Sequence, residues 1–194
     1  MYCLVSAVLT FLSPKGLGWR RVAFGRVRSL PNRGEGSCLF QALSHQLGGA
    51  YLAPQLRQLA VDYMAAHVEE YNAQLTDLGA EMLANGELPI AAAATVGHGG
   101  NPDLLVQLVL NTLRFPWTWG GAECIAALAN VLRRNIIVYL EDGPNIMFEP
   151  VLVDAPALRI LHRFGAEGRR THYESVLQWQ PAPPPPLPVV SVVP

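Results

Sequence analysis

Between Cys38 and Leu47 the apolar residues Leu39, Phe40, Leu43 and Leu47 recur at three- and four-residue intervals, which gathers them on one helical face, and Gly48-Gly49 supplies the stop. A second amphipathic helix is expected to open at Pro54, a residue suited to a first helical turn, and to run through Leu56, Leu59, Tyr63 and Met64 to about Gln74. A short helix is expected over Asp77–Ala84, then a Gly/Ala-rich stretch over Asn85–Asn101, then a helix from Pro102 to about Leu113. Ala122–Arg133 places Ile125, Leu128, Ala129 and Leu132 on one face, and the β-branched run Ile136–Tyr139 reads as a buried strand. Pro144–Val153 reads as a further strand pair, with strands at Leu158–Leu161 and His172–Leu177. Helices come early and strands late, so the expected class is α+β, or a small three-layer α/β domain, rather than a βαβ repeat. Pro181–Pro194, with four consecutive prolines at 183–186, is expected to be polyproline II or disordered.

Composition narrows this to one domain. The chain has 194 residues, 51% of them apolar and 15% charged, against about 25% charged in an ordinary soluble domain, so a sizeable core is available and charge-driven disorder is excluded. No uncharged apolar stretch reaches the ~18 residues of a spanning helix, and the run Tyr2–Leu12 lacks the basic start of a secretory signal. The expected organisation is an N-terminal extension over 1–19, a compact domain over 20–180 and a proline-rich tail over 181–194, with no membrane partner. Three scattered cysteines, Cys3, Cys38 and Cys124, make neither a disulfide framework nor a CxxC metal site. They point to a reducing compartment and a cytoplasmic or nuclear location. Six basic residues precede the first acid, whereas residues 35–156 hold thirteen acids and four bases. The early arginines read as a solvated basic arm; nucleic acid is disfavoured as a partner because the rest of the chain would repel phosphate. The proline tail could dock on an SH3 or WW groove, but a linker is the simpler reading, because basic flanking residues are missing.

The candidate chemistry is then limited. No GxxxxGK[ST] loop exists, and the single lysine, Lys15, lies in an SPKG segment. The five histidines form no HExxH or Cys/His ligand spacing, so a metal such as zinc is not expected. What remains is Cys38, in the first turn of a helix and preceded by Asn32-Arg33-Gly34-Glu35-Gly36-Ser37, whose glycines suit a strained turn. Helix N-terminal N–H groups favour negative charge, would lower the thiol pKa, and could hold an oxyanion. By itself this pattern leaves two readings open, a nucleophile or a small buried hydrophobe.

Three segments read together add a resemblance. Gly34-Glu35-Gly36-Ser37-Cys38-Leu39-Phe40-Gln41-Ala42-Leu43 resembles the D-G-N-C-L-F-x-A-[IL] segment of the ovarian-tumour (OTU) family of papain-like cysteine proteases. Trp119–Leu128 is similar to that family's W-G-G-x-x-E-[IL]-x-A-L helix start, and His172-Tyr173-Glu174-Ser175-Val176 to its H-Y-[ND]-S-[VL] terminus. The resemblance implies an OTU-type α+β fold, a small twisted sheet flanked by helices. It also implies a cofactor-free deubiquitinase that hydrolyses isopeptide or peptide bonds after the C-terminal glycine of ubiquitin, polyubiquitin or a related modifier. On this chain it implies Cys38 as nucleophile, His172 as base, and backbone N–H groups around Glu35, Gly36, Ser37 and Cys38 as the oxyanion hole. If His172 opens a strand, Glu174 shares its face two residues on and can orient the imidazole; Asn32 is a substitute orienter.

The sequence departs from the family pattern where Glu35, Ser37 and Glu174 replace Asp, Asn, and Asn or Asp, which bears on activity more than on fold. Cys124 reads as core, Cys3 as a terminal bystander and His162 as a decoy base. Trp119 is expected to pack the domain, while Gly120 and Gly121 let the chain pass close to another backbone, where the substrate tail could run. The acidic middle segment could attract ubiquitin's basic tail region. Two alternatives stay beside a deubiquitinase: a weak or inactive OTU-like ubiquitin-binding module, and an OTU-type polyprotein-processing protease of a virus or mobile element.

Overall fold

A computed structural model describes residues 19–23, 25–32, 36–88, 102–141, 143–150, 155–163 and 172–182. Outside them lie the run Tyr2–Leu12, Cys3, Lys15, Arg33 to Glu35, most of the Gly/Ala-rich stretch, part of the 144–153 strand pair and the consecutive prolines. Two strands open the described chain, β1 (Trp19–Val22) and β2 (Gly25–Leu30); five helices follow, α1 (Cys38–Gln46), α2 (Ala53–Ala66), α3 (Val68–Ala84), α4 (Pro102–Leu113) and α5 (Ala122–Leu132). The chain then forms β3 (Arg134–Leu140), β4 (Ile146–Phe148), β5 (Ala155–Arg163) and β6 (His172–Pro181).

The strands make one six-stranded mixed sheet in the order β1-β2-β6-β5-β3-β4. All its pairings are antiparallel except β3 with β5. The strand period of two assigns the faces. Ile136, Val138, Leu158, Ile160 and Tyr173 join Leu39, Phe40, Leu43, Leu56 and Leu128 in the main core under the helices. Val22, Val27, Tyr139, Leu161 and Val176 form a second, small cluster. This is an α+β domain with a heavily covered sheet face and a lightly covered one.

Three expectations change. Arg20, Arg21, Arg26 and Arg28 are not a solvated arm: they lie in the β1–β2 hairpin, which closes on β6 through β2. The sequence hid it because arginines alternate with Val22, Val27 and Leu30, and a short half-covered strand needs few apolar residues. The helix expected to run from Pro54 to about Gln74 breaks at His67, whose Nδ1 lies 2.9 Å from the Tyr63 carbonyl while its ring stacks on Tyr63 at 4.0 Å. A new helix starts at Val68 with Glu69 and Glu70 in its first turn, where carboxylates complement the dipole. It runs on to Ala84 and absorbs the short helix expected over 77–84.

Candidate active site

Cys38 is the first residue of α1, its side chain fully buried. Helix α1 packs on the start of β6, so the Cys38 thiol reaches the backbone of Tyr173, the residue after His172. Burial pushes the thiol pKa up; hydrogen bonding to the backbone of Tyr173, Leu39 and Cys38 itself and the charge of Arg57 pull it back without reversing the shift. The lowering expected from the helix terminus is therefore present but outweighed by desolvation. His172, partly exposed, is held below its ordinary pKa by burial, with Glu174 opposing and Arg163 reinforcing the shift. Both shifts favour the uncharged form, thiol at Cys38 and neutral imidazole at His172.

Glu174 shares the His172 face, as the strand period requires, with Oε1 at 4.0 Å from His172 Nε2. Its nearer partners are others: Arg163 donates from Nη1 to Oε1 at 2.8 Å, and Ser29 donates to Oε2. Burial raises the Glu174 pKa, yet these bonds and the charges of Arg163 and Arg20 outweigh it, and the group stays ionised below the ordinary glutamate range. Arg163 also donates from Nε to Glu141 at 3.2 Å, and Arg20 lies 3.6 Å from the same carboxylate. Asn32 donates from Nδ2 to the carbonyls of Cys38 and Tyr173, at 3.0 and 2.9 Å. It therefore links the start of the cysteine helix to the histidine strand.

On the approach to Cys38, Glu35 lies outside the described residues, while Gly36 adopts φ +73° with its α-carbon pressed on Trp117; an added Cβ would come within 2.3 Å of the Trp117 carbonyl oxygen. Ser37 donates to the Pro116 carbonyl at 2.8 Å. The close backbone approach expected at Gly120 and Gly121 occurs at Gly36 instead. Gly120 is buried, and a Cβ there would meet the side chains of Phe40 at 2.8 Å and Leu39 at 3.0 Å; Gly121 is the N-cap of α5. Trp119 packs against the main core. Cys124 is a core residue whose thiol burial pushes up to about 12. His162 stands in register with Tyr173, ring centroids 4.9 Å apart.

One residue here was missed by sequence reading. Arg57, buried in the middle of α2, donates to the carbonyls of Leu113 at 2.8 Å, Gly36 at 3.0 Å and Pro116 at 3.2 Å, and to Ser37 Oγ at 3.3 Å. Its only signal was position: it follows Leu56 and precedes Ala60 and Val61 on the face that turns to the core.

Residues 33–173 match the family model described as OTU-like cysteine protease. The chain belongs to this OTU family. It is 31% identical over 148 residues to ubiquitin thioesterase otu2 of Schizosaccharomyces pombe, an alignment covering 74% of this chain and 43% of that protein. The chain thus spans less than half the length of that relative. Among solved structures, an OTU domain in complex with ubiquitin superposes with a TM-score of 0.51 at 19% identity, over 78% of this chain and 70% of the other. The viral OTU protease of Farallon virus gives 0.50 at 16%, over 84% and 98%. At these identities the likeness shows the OTU fold, which agrees with the sheet and helices described above.

Proposed function

We propose that this OTU domain is a cysteine deubiquitinase in which Cys38 attacks the carbonyl of ubiquitin's C-terminal glycine. The observation that carries the reading is the placement of the Cys38 thiol against Tyr173, the neighbour of a His172 whose Nε2 faces the ionised Glu174. In this reading His172 serves the thiol through its other ring nitrogen, Nδ1. His172 takes the thiol proton as sulfur adds to the carbonyl carbon; the proton then passes to the departing amine as the C–N bond breaks, leaving a thioester. Water, deprotonated by the same imidazole, attacks the thioester carbonyl, and Cys38 leaves as the carboxylate forms. A neutral resting pair suits this sequence, because the base can accept a proton near neutral pH. Ubiquitin as the substrate is supported by the thioesterase relative.

Replacing Cys38 by Ala is expected to lower di-ubiquitin cleavage by at least about a thousandfold and to abolish covalent capture by a ubiquitin carrying a C-terminal electrophile. Full cleavage in Cys38→Ala would sink the proposal. A second reading, a ubiquitin-binding module without turnover, draws on the capture of Glu174 by Arg163 and the raised thiol pKa. It predicts ubiquitin binding with neither electrophile capture nor cleavage by the unaltered protein. A panel of di-ubiquitin linkages incubated with both proteins separates the two readings and reads out linkage preference.

A further inference from the structure

The mechanism above makes no use of the Arg57 guanidinium, although it is only 3% exposed. Removing a cation from water costs several kcal/mol unless its donors are satisfied. Here they are satisfied by the carbonyls of Gly36, Leu113 and Pro116 and by Ser37 Oγ; no carboxylate among the described residues joins them. The guanidinium carbon lies 4.3 Å from the Phe40 ring centroid, a cation–π contact with the first turn of α1. The result is a buried positive charge held by dipoles and a ring, and so not cancelled, which raises the question of what the charge serves.

Peptide geometry supplies one answer. A trans peptide is planar, with C=O and N–H pointing in opposite directions. Because the Gly36 carbonyl is held by Arg57 Nη2, the Ser37 N–H must point away from the guanidinium. Only glycine fits at position 36, where φ is +73° and Trp117 leaves no room for a Cβ, and the neighbouring carbonyls of Leu113 and Pro116 are tied to the same arginine. One side chain thereby fixes the loop entering Cys38 and the loop opposite it.

The charge supplies the other. Of the titratable groups around the thiol, Arg57 comes from α2 and Tyr173 from β6, and Cys124 and Glu123 of α5 act on the same tyrosine. Burial holds the nearby tyrosine hydroxyl and Cys124 thiol neutral; the guanidinium charge acts on both thiols, on Cys124 before Cys38, and its bonds to Gly36 and Ser37 and its contact with Phe40 place it at the turn that carries Cys38.

We infer that Arg57 is a positioning residue of the thiol site, fixing the Gly36–Ser37 peptide and supplying the buried positive charge that favours the Cys38 thiolate. Its catalytic consequence rests on the deubiquitinase reading; its effects on the loop and the thiol do not.

The test compares the unaltered protein with Arg57→Lys and Arg57→Met. Thermal unfolding checks the fold, the ¹³Cβ shift of labelled Cys38 against pH reports the thiol, the Ser37 amide ¹⁵N shift reports the peptide, and hydrolysis of a fluorogenic ubiquitin C-terminal amide gives kcat and KM. Lysine keeps the charge but not the planar fork. The expected result is a displaced Ser37 amide signal in both variants, a raised thiol titration only in Arg57→Met, and kcat lowered about tenfold to a hundredfold with a smaller change in KM. Folded variants with unmoved Ser37 and Cys38 signals would overturn the inference, leaving Arg57 a packing residue; if Arg57→Met does not fold, an unmoved Ser37 signal in Arg57→Lys does so alone. An unaltered protein that fails to hydrolyse the amide counts against the function proposed above, while the two spectroscopic signals still decide the role of Arg57.

Discussion

The carboxylate of Glu174 is shared unequally. Arg163 and Ser29 hold it by hydrogen bonds, while His172 sits at 4.0 Å, so the group that would orient the imidazole is drawn toward a competing cation. Arg163→Met should free one oxygen for His172 and remove a charge that disfavours its protonation. The imidazole pKa should then rise, and the acid limb of kcat/KM should move to higher pH; an unmoved limb, and an unmoved His172 ring resonance in an NMR titration, would show that Arg163 does not restrain the pair. Glu174→Ala should lower kcat/KM by about tenfold to a hundredfold, less than Cys38→Ala, because the proposed nucleophile and base both remain. Unchanged rates in Glu174→Ala would remove it from the mechanism. Asn32 spends its amide donors on two backbone carbonyls, while its Oδ1 is buried with no hydrogen-bond partner among the described residues.

At the scale of the elements, two glycines join the site to the helices by different means. Gly36 satisfies a left-handed turn and a backbone contact at once, whereas Gly120 leaves space for Phe40 and Leu39 under α1. Gly120→Ala should cost about 1–3 kcal/mol by overpacking, measured by urea denaturation. Gly36→Ala should cost a similar amount and also lower activity, because the loop carries the residue before Cys38, the proposed nucleophile. Equal activity loss in both variants would deny the loop that role. These differences mark what was legible beforehand. Helices α1, α4 and α5 and strands β3 and β6 carry long apolar periods, so their sequence pattern sufficed. The β1–β2 hairpin is rich in arginine, and the α2–α3 break depends on one histidine ring meeting a carbonyl one turn earlier, so neither leaves a periodic trace. Cys38, His172 and Glu174 stood out through motifs. Arg57 did not, because its partners are carbonyls of segments distant in sequence, and carbonyls carry no residue signature.

Across the whole molecule, the helices and the main core occupy one face of the sheet, while His172, Glu174 and Arg163 share the other. Acid should attack this second face in two stages. His172 has a depressed folded pKa, so the unfolded chain binds the extra proton first, and stability present above about pH 6.5 drains as pH falls through the folded value. Glu174 is also depressed, so its contribution persists above the ordinary glutamate range and is lost as pH falls through its own lower value. Urea midpoints should therefore decline below pH 6.5 and again in the acid range, and His172→Gln should flatten the first decline; an identical profile in that variant would assign the loss elsewhere. Asn32 gives the molecule one further property. With a single amide it grips the carbonyl of the first helical residue and that of the second strand residue, a staple at one end of α1 that matches the one Gln46 makes to Ser175 and Val176 at the other.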